Sequence, residues 1–519
     1  MSQVAAKRAT REDLLGRQSK KPNGGLNMSL VVNTNVASLT AQRALAESAS
    51  ALDRAMTRLS TGSRINSASD DAAGLAIVQR MTSQINGLNM AVKNANDGIS
   101  LTQSIEGALV EVVDMLQRLR ELAVQSSNDT NSSTDRRYIE DEVALLKAEI
   151  TRIANNTRYN GTKVLDGTFL AQKLQVGTEG GEVIDLSVSS VSADKLGQYK
   201  TVKAALNAVI GTDLTTAGEA VNSVTATEIY TINGATNSKT ITPTAKESAK
   251  ATAAAVNAVS GDTGVTATAK TYAKFFTGDA SDTTYSVKIN GTTTGNFTWS
   301  ATNVADAVTK INDISGTTGV TATANAGNTF ITLYHSAGAD ITVENQSTGT
   351  GMDIASVDHD GSTANTVIDI AASGGDDSVR VMGTVQFSSS ESFSVSLDSG
   401  ATAGNTFVVA GSGSLSTVST INLKTQSGAS SAIAVLDGAI EKVSSMRADL
   451  GAIENRLQHT VSNLMNIAQN TSDSRSRILD ADYSVESANL AKAQVLQQAG
   501  TAILTQANAR PQLVLQLLQ

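Results

Sequence analysis

The stretch INGLNMAVKNANDGISLTQSIEGALVEVVDMLQRLRELAVQ, Ile85 to Gln125, decides the fold class. Counted in alternating steps of three and four, it puts Ile85, Leu88, Val92, Ala95, Ile99, Leu109, Val113, Leu116 and Ala123 on one line. Those are nine of twelve seam positions, with polar Thr102, Glu106 and Arg120 in the other three. The spacing predicts an amphipathic helix too long to bury its stripe against itself, so it needs a partner helix. The far end of the chain supplies one: Ile433, Leu436, Ile440, Val443, Leu450, Leu457, Val461, Leu464 and Ala468 repeat the seven-residue pattern. Two ends of one chain are thus expected to make one helical body.

Outward from this pair the same reading continues. A helix from Leu30 to Leu59 carries Leu45, Ala49, Leu52, Met56 and Leu59 at heptad spacing. Another, Asp135 to Ile153, carries Ile139, Val143, Leu146 and Ile150 on one face. A last segment runs from about Ser484 to Ala509 and is expected to stop at Pro511. Between the first two helices lies LSTGSRINSASDDAAGLAI, Leu59 to Ile77. There Gly62 is placed to end one helix in a left-handed conformation. Ser67 or Ser69 is placed to cap the next, with Asp70 and Asp71 in its first turn.

Beyond Tyr159 the composition shifts to Thr, Ser, Val, Gly and Asn. Lys173 to Val188 alternates apolar and polar residues across a Gly-bearing loop and reads as a β-hairpin. SGDTGVTATA at Ser260 and SGTTGVTATA at Ser315 form a repeat about 55 residues apart. Each copy follows a small amphipathic helix and, earlier, an Asn-Gly turn at Asn233-Gly234 or Asn290-Gly291, which predicts a duplicated strand, helix and strand unit.

Composition bounds the function. The 519 residues carry a net charge of −9, which argues against a general nucleic-acid binder. With aromatics at 3%, cores must be built from Ala, Leu, Val and Ile. There is no Cys, so disulfides and thiolate metal sites are excluded. No apolar run is long enough to span a membrane, and no secretory signal opens the chain. Residues 1–27 hold Lys7, Arg8, Arg11, Arg17, Lys20 and Lys21 against Glu12 and Asp13, and read as a basic disordered arm or a segment ahead of a true start at Met28. The histidines His335, His359 and His459 are scattered, with no Gly-framed Ser or carboxylate motif beside them. Asp358-His359-Asp360 reads as a solvated loop rather than a metal site. Arg118, Arg120 and Glu121 read as a charged helix face with an Arg118 to Glu121 pair. No catalytic site, cofactor or metal is expected. The Ala-, Ser- and Gln-rich ends bury little area each, which points to self-association.

Several quoted stretches resemble bacterial flagellin: MSLVVNTNVASLTAQRAL from Met28, LSTGSRINSASDDAAGLAI from Leu59, DMLQRLRELAVQSSNDT from Asp114, RYNGTKVLDG from Arg158, and the ending from Ile478. The likeness covers about Met28 to Lys200 and Ala432 to Gln519 and is highly specific, with several motifs in order at both ends. It implies a fold mainly α at the termini, with long coiled-coil-like helices pairing N- and C-terminal segments, a β-hairpin, and a β-rich central variable insert. Residues 28–70 and 480–519 would be inner-tube helices, 71–205 and 430–479 an outer-tube domain, and 206–429 a surface-exposed insert with a duplicated unit.

The resemblance further implies a non-enzymatic subunit that self-polymerises into the extracellular flagellar filament for swimming, after type III export unfolded. Its partners would be other copies of the chain, the flagellar cap, an export chaperone and hook-associated proteins, with no nucleic acid and no membrane insertion. Gly62, Ser67 and Asp70 would belong to the connection between concentric layers. Ile85, Leu88, Val92, Ile99, Leu109, Leu116, Leu450, Leu457 and Leu464 would form the helical seam. The segment read by host Toll-like receptor five would fall on Arg118, Leu122 and Glu149. A hook-filament junction protein and a filament-borne adhesin are the alternatives.

Overall fold

The computed structural model describes residues 34–517 except 203, 212–221, 223, 225–228, 245, 349–350, 373–376, 398–406 and 409. The basic arm expected over residues 1–27 lies outside the described residues, as do 28–33 and 518–519. The helices in chain order are α1 Val36–Thr61, α2 Ala72–Ser126, α3 Ser133–Asn156, α4 Ala249–Ala258, α5 Ser260–Thr263, α6 Ala305–Asp313, α7 Ser315–Thr318, α8 Gln426–Leu479 and α9 Tyr483–Leu517. Strands fill the middle, so the chain has helical termini around a β-rich centre. It divides into two compact units, Met1–Met90 with Leu464–Gln519, and Ala91–Asn463.

In the second unit the seam folds as its spacing requires. Leu109, Leu116, Leu450 and Leu457 are buried, and Val92 and Ile99 are half-buried. The polar seam positions are accounted for one by one. Thr102 returns its hydroxyl to the Gly98 carbonyl at 2.8 Å, Glu106 pairs with Arg447 at 2.8 Å, and Arg120 pairs with Asp437 at 2.5 Å. A second heptad row, Ile105, Val112, Leu119 and Ser126, is as deeply buried as the first. The cause is a second neighbour, for α3 adds Ile139, Val143 and Ile150 to the same core, which widens the apolar stripe of α2 beyond a two-helix seam. The third helix starts at Ser133, two residues before the expected Asp135, because Ser132 and Asp135 close a reciprocal capping box.

The hairpin forms from Gln172–Gln175 and Val183–Leu186, with Leu174 opposite Ile184. It rests on α2 where there is no side chain to hold it off: a Cβ on Gly98 would stand 2.8 Å from Leu174 Cδ1.

Each half of the central repeat is a hairpin, a helix pair and a strand. The first copy runs Tyr230–Asn233, Ser238–Ile241, α4, α5 and Thr266–Phe276, and the second runs Thr283–Ile289, Thr292–Trp299, α6, α7 and Val320–Ala324. In the second copy Asn290 (φ 44°) and Gly291 (φ 82°) make the expected tight turn. The first copy differs from expectation: its hairpin loop closes from the Gly234 N–H to the Asn237 carbonyl, a longer connection than a two-residue turn. Strand Thr266–Phe276 is the trunk of the larger sheet, pairing with Ile331–His335 on one edge and with Met352–Val357 and Thr384–Ser389 on the other. The core here departs from the aliphatic expectation, since Trp299, Phe275, Tyr285 and Phe297 cluster at its centre. The few aromatics of the chain are concentrated where short strands must bury area with few residues.

One contact is copied between the repeats. The Asn257 side chain accepts from the Ala267 N–H at 2.8 Å and donates to its carbonyl at 2.9 Å, and Asn312 does the same to Ala322 at 2.8 and 2.9 Å. Each amide acts as a missing strand neighbour for a residue on a sheet edge. Asn312→Ala leaves both Ala322 groups unpaired and is expected to cost about 2 kcal/mol, read by urea unfolding of the central unit.

His359 corrects the solvated-loop reading. It is only 7% exposed, its Nδ1 lies 3.1 Å from Thr384 Oγ1, and burial pushes its pKa down to about 4. Asp358 accepts from the Ala205 N–H and Asp360 from Ser362, so both carboxylates hold the chain in place.

Candidate functional site in the two chain ends

In the first unit α1 and α9 lie antiparallel. The α9 side of their contact is a heptad row of Glu486, Ala493, Gly500 and Ala507. These residues are small except at one end, so the helices approach closely: a Cβ on Gly500 would stand 3.3 Å from Leu45 Cδ1. On α1 the facing row is Ser38, Ala41, Leu45, Leu52, Ala55 and Leu59. Met56, expected in that row, instead points outward at 54% exposure, because Ala55 takes the close contact. At one end of the pair Arg58 meets Glu486 at 2.9 Å, and at the other Asn35 Nδ2 donates to the Ala507 carbonyl at 2.8 Å.

The connection between α1 and α2 is built jointly with the break between α8 and α9. Gly62 caps α1 at φ 70°. Ser63 then pairs with Asp480 as a β-bridge, the Arg64 N–H donates to the Leu479 carbonyl at 2.6 Å, and the Ala481 N–H donates to the Gly62 carbonyl at 2.9 Å. The Arg64 guanidinium adds a bond to the Ile478 carbonyl at 2.6 Å. Both chain ends therefore turn at one place, and backbone groups freed by each helix end satisfy the other. Sequence reading missed this partnership because nothing local to Leu59–Ile77 refers to Asp480.

Within the connection neither acidic residue lies in the first turn of α2, where both are expected. Asp71, not a serine, caps α2, accepting from the Gly74 N–H at 2.9 Å. Asp70 lies outside the first turn of α2 and clamps the loop, accepting from the Ser67 and Asn66 N–H groups and the Ser67 hydroxyl. Those donors, the Ser67 N–H foremost, hold its carboxyl below the usual carboxylate range. A depressed carboxylate favours the folded loop above its ordinary pKa, and this contribution fades as pH falls through the lowered value. Gly62→Ala has open space for its methyl but must adopt a left-handed backbone. It is expected to cost about 1 kcal/mol, read by circular dichroism during thermal unfolding.

What distinguishes this unit is its uncovered apolar surface. On α1 the exposed side chains include Val36 and Leu39, and on α9 Tyr483, Val485, Val495, Leu496 and Ile503, the last at 58% exposure. Among the described residues the two helices contribute only Ser38, Ala41, Ala55, Glu486, Ala493 and Ala507 as buried positions. In this unit Ile85, Leu88 and Leu464 are buried. The last helix also overruns its expected stop, continuing through Pro511 to Leu517. Proline fits helical φ and costs one hydrogen bond, and the freed carbonyl is that of Ala507, already served by Asn35.

The three residues carried over as a receptor segment lie in the other unit. Arg118 is exposed and pairs with Glu121 at 3.1 Å and Glu142 at 3.0 Å, and these carboxylates hold its pKa above the ordinary guanidinium value. Glu149 is half-buried and forked onto Arg152, whose bonds hold its carboxyl low. Leu122 must be corrected: at 2% exposure it belongs to the core formed by α2, α3 and α8, and no partner can touch it in the folded unit.

Among the described residues no helix is long and apolar enough to cross a membrane. The profile described as the bacterial flagellin N-terminal helical region matches residues 32–169, and that of the C-terminal helical region matches residues 433–518. B-type flagellin of Pseudomonas aeruginosa is 42% identical over 500 residues, covering 95% of this chain and 100% of the relative. Flagellin B of Vibrio cholerae is 34% identical over 499 residues, with 95% and 100% covered. Flagellin of Salmonella typhimurium is 35% identical over 533 residues, again with 95% and 100% covered. With both helical ends matched and full-length relatives at these identities, the chain belongs to the bacterial flagellin family.

Proposed function

We propose that this chain is the structural subunit of a flagellar filament and polymerises through its two ends to serve swimming motility. The observation that carries the reading is the exposed apolar row on α1 and α9, including Val36, Leu39, Val495, Leu496 and Ile503. A helix pair joined by Ala and Gly contacts buries too little to offset the ordering of two long helices, about 1 kcal/mol or more per residue in backbone entropy. Neighbouring copies close that deficit by covering the remaining apolar faces. On this reading residues 28–70 and 480–519 line the inner tube, 71–205 and 430–479 the outer tube, and 206–429 the outer surface. The subunit is exported through the flagellar type III apparatus with a chaperone, adds beneath the cap and joins hook-associated proteins. Its role is mechanical rather than catalytic. As a monomer it presents Arg118 and Glu149 to Toll-like receptor five, through surface charge on α2 and α3.

Electron microscopy of purified protein after nucleation with filament fragments tests the reading. Long helical tubes are the expected result. Short caps would favour a hook-filament junction protein, and monomers alone a soluble adhesin.

A further inference from the structure

An interface of Ala and Gly specifies register weakly, because sliding one heptad replaces small residues by small residues. Along the α1–α9 contact, Ala493, Gly500 and Ala507 are nearly interchangeable as packing groups. Shape separates the registers by little more than the one methyl by which Ala493 or Ala507 would exceed Gly500 beside Leu45. Two polar contacts lie at the ends of the row: Arg58 with Glu486 at 2.9 Å, and Asn35 with the Ala507 carbonyl at 2.8 Å. The second depends on a proline four residues further on. Pro511 has no N–H, so the Ala507 carbonyl, on a residue only 8% exposed, lacks its helical donor. A neighbouring carbonyl such as that of Gly500 has its own donor four residues on and offers Asn35 no vacancy.

We propose that Asn35 and Pro511 together form a register pin. Pro511 opens one carbonyl on α9, and Asn35 can fill it only when the terminal helices are aligned as observed. Asparagine suits the position because its amide does two things at once. Oδ1 accepts from the Ser38 N–H at 3.1 Å and caps α1, while Nδ2 donates to Ala507. Aspartate would keep the cap and lose the donor. A slip of one heptad would leave the Ala507 carbonyl unfilled and also part Arg58 from Glu486. A polar group that selects one register of an otherwise uniform helix pair is a familiar device in coiled coils.

The absence of cysteine makes the test direct. A Cβ on Gly500 would stand 4.0 Å from Leu45 Cβ, a separation a disulfide accepts. Leu45→Cys with Gly500→Cys reports the observed register, and Leu45→Cys with Ala493→Cys reports a slip of one heptad. Oxidation yields of both pairs are compared in the full chain carrying Asn35, Asn35→Asp or Pro511→Ala, in filaments if the chain polymerises and in monomer if it does not. The expected ratio of native to slipped cross-link falls about tenfold in Asn35→Asp, the scale of one unfilled buried carbonyl. Pro511→Ala should lower the ratio as well, although it restores a helical hydrogen bond, because the Ala507 carbonyl then has its own helical donor and no longer marks one register. A ratio unchanged in both variants overturns the pin. So does a ratio that falls in Asn35→Asp but stays high in Pro511→Ala, since it would make Asn35 a local stabiliser without the proline partnership.

Discussion

A chain lacking residues 492–519 is expected to form no filaments while its central unit keeps its fold. The deletion removes Ala493, Gly500 and Ala507 from the α1 contact, and with them Val495, Leu496 and Ile503 from the exposed row. Burying three such apolar side chains against neighbours is worth about 5 kcal/mol in total, or more than three orders of magnitude in association. The critical concentration for growth should therefore move out of practical range. The core of the second unit draws entirely on residues 91–463, so its urea midpoint should not shift. Filaments grown from the truncated chain would sink the assignment of assembly to this helix. A shifted midpoint would show that the unit boundaries are wrong.

Leu122→Ala is expected to lose about 3 kcal/mol of stability in the central unit. The side chain is 2% exposed in the core shared by α2, α3 and α8, where a truncation leaves a cavity. Urea unfolding followed by circular dichroism reads this, and a loss below about 1 kcal/mol would contradict the packing. Arg118→Ala separates contact from packing. Its guanidinium is exposed and bonded to Glu121 and Glu142 at the surface, so the urea midpoint should stay where it is. If the monomer is recognised through this face, Arg118→Ala lowers receptor signalling about tenfold with the fold intact. Unchanged signalling by the folded variant would remove Arg118 from the contact.

The parts of the fold legible in the sequence are those in which one rule repeats over many residues. Ile85 to Ala123 and Ile433 to Ala468 announce paired helices because one missed position among many does not hide a heptad. Gly62 is legible because a left-handed cap has few alternatives. The row Ile105, Val112, Leu119 and Ser126 was present at the same spacing but reads as a second seam only when α3 is known to lie beside it. Asp70 and Asp71 are expected in the first turn of α2 and instead lie ahead of it, since Ser and Asp compete for the same cap and local rules rank them almost equally. Leu122 was assigned by likeness rather than by periodicity, and periodicity places it one step from buried Ala123 and three from buried Leu119. The bridge of Ser63 to Asp480 and the service of the Ala507 carbonyl by Asn35 join residues more than four hundred positions apart. No local propensity encodes such a pairing; only the closed geometry does.

In the proposed filament the terminal helices complete their burial between copies rather than within one subunit. Hydrogen exchange of dilute monomer against filament tests it most directly. Fast exchange is expected in monomer across α1 and α9, with strong protection of both in filament and protection in both states for α2 and α8 around Leu109, Leu116, Leu450 and Leu457. Strong protection of α1 and α9 in dilute monomer would contradict it, because a pair that is already stable alone gains its order without its neighbours.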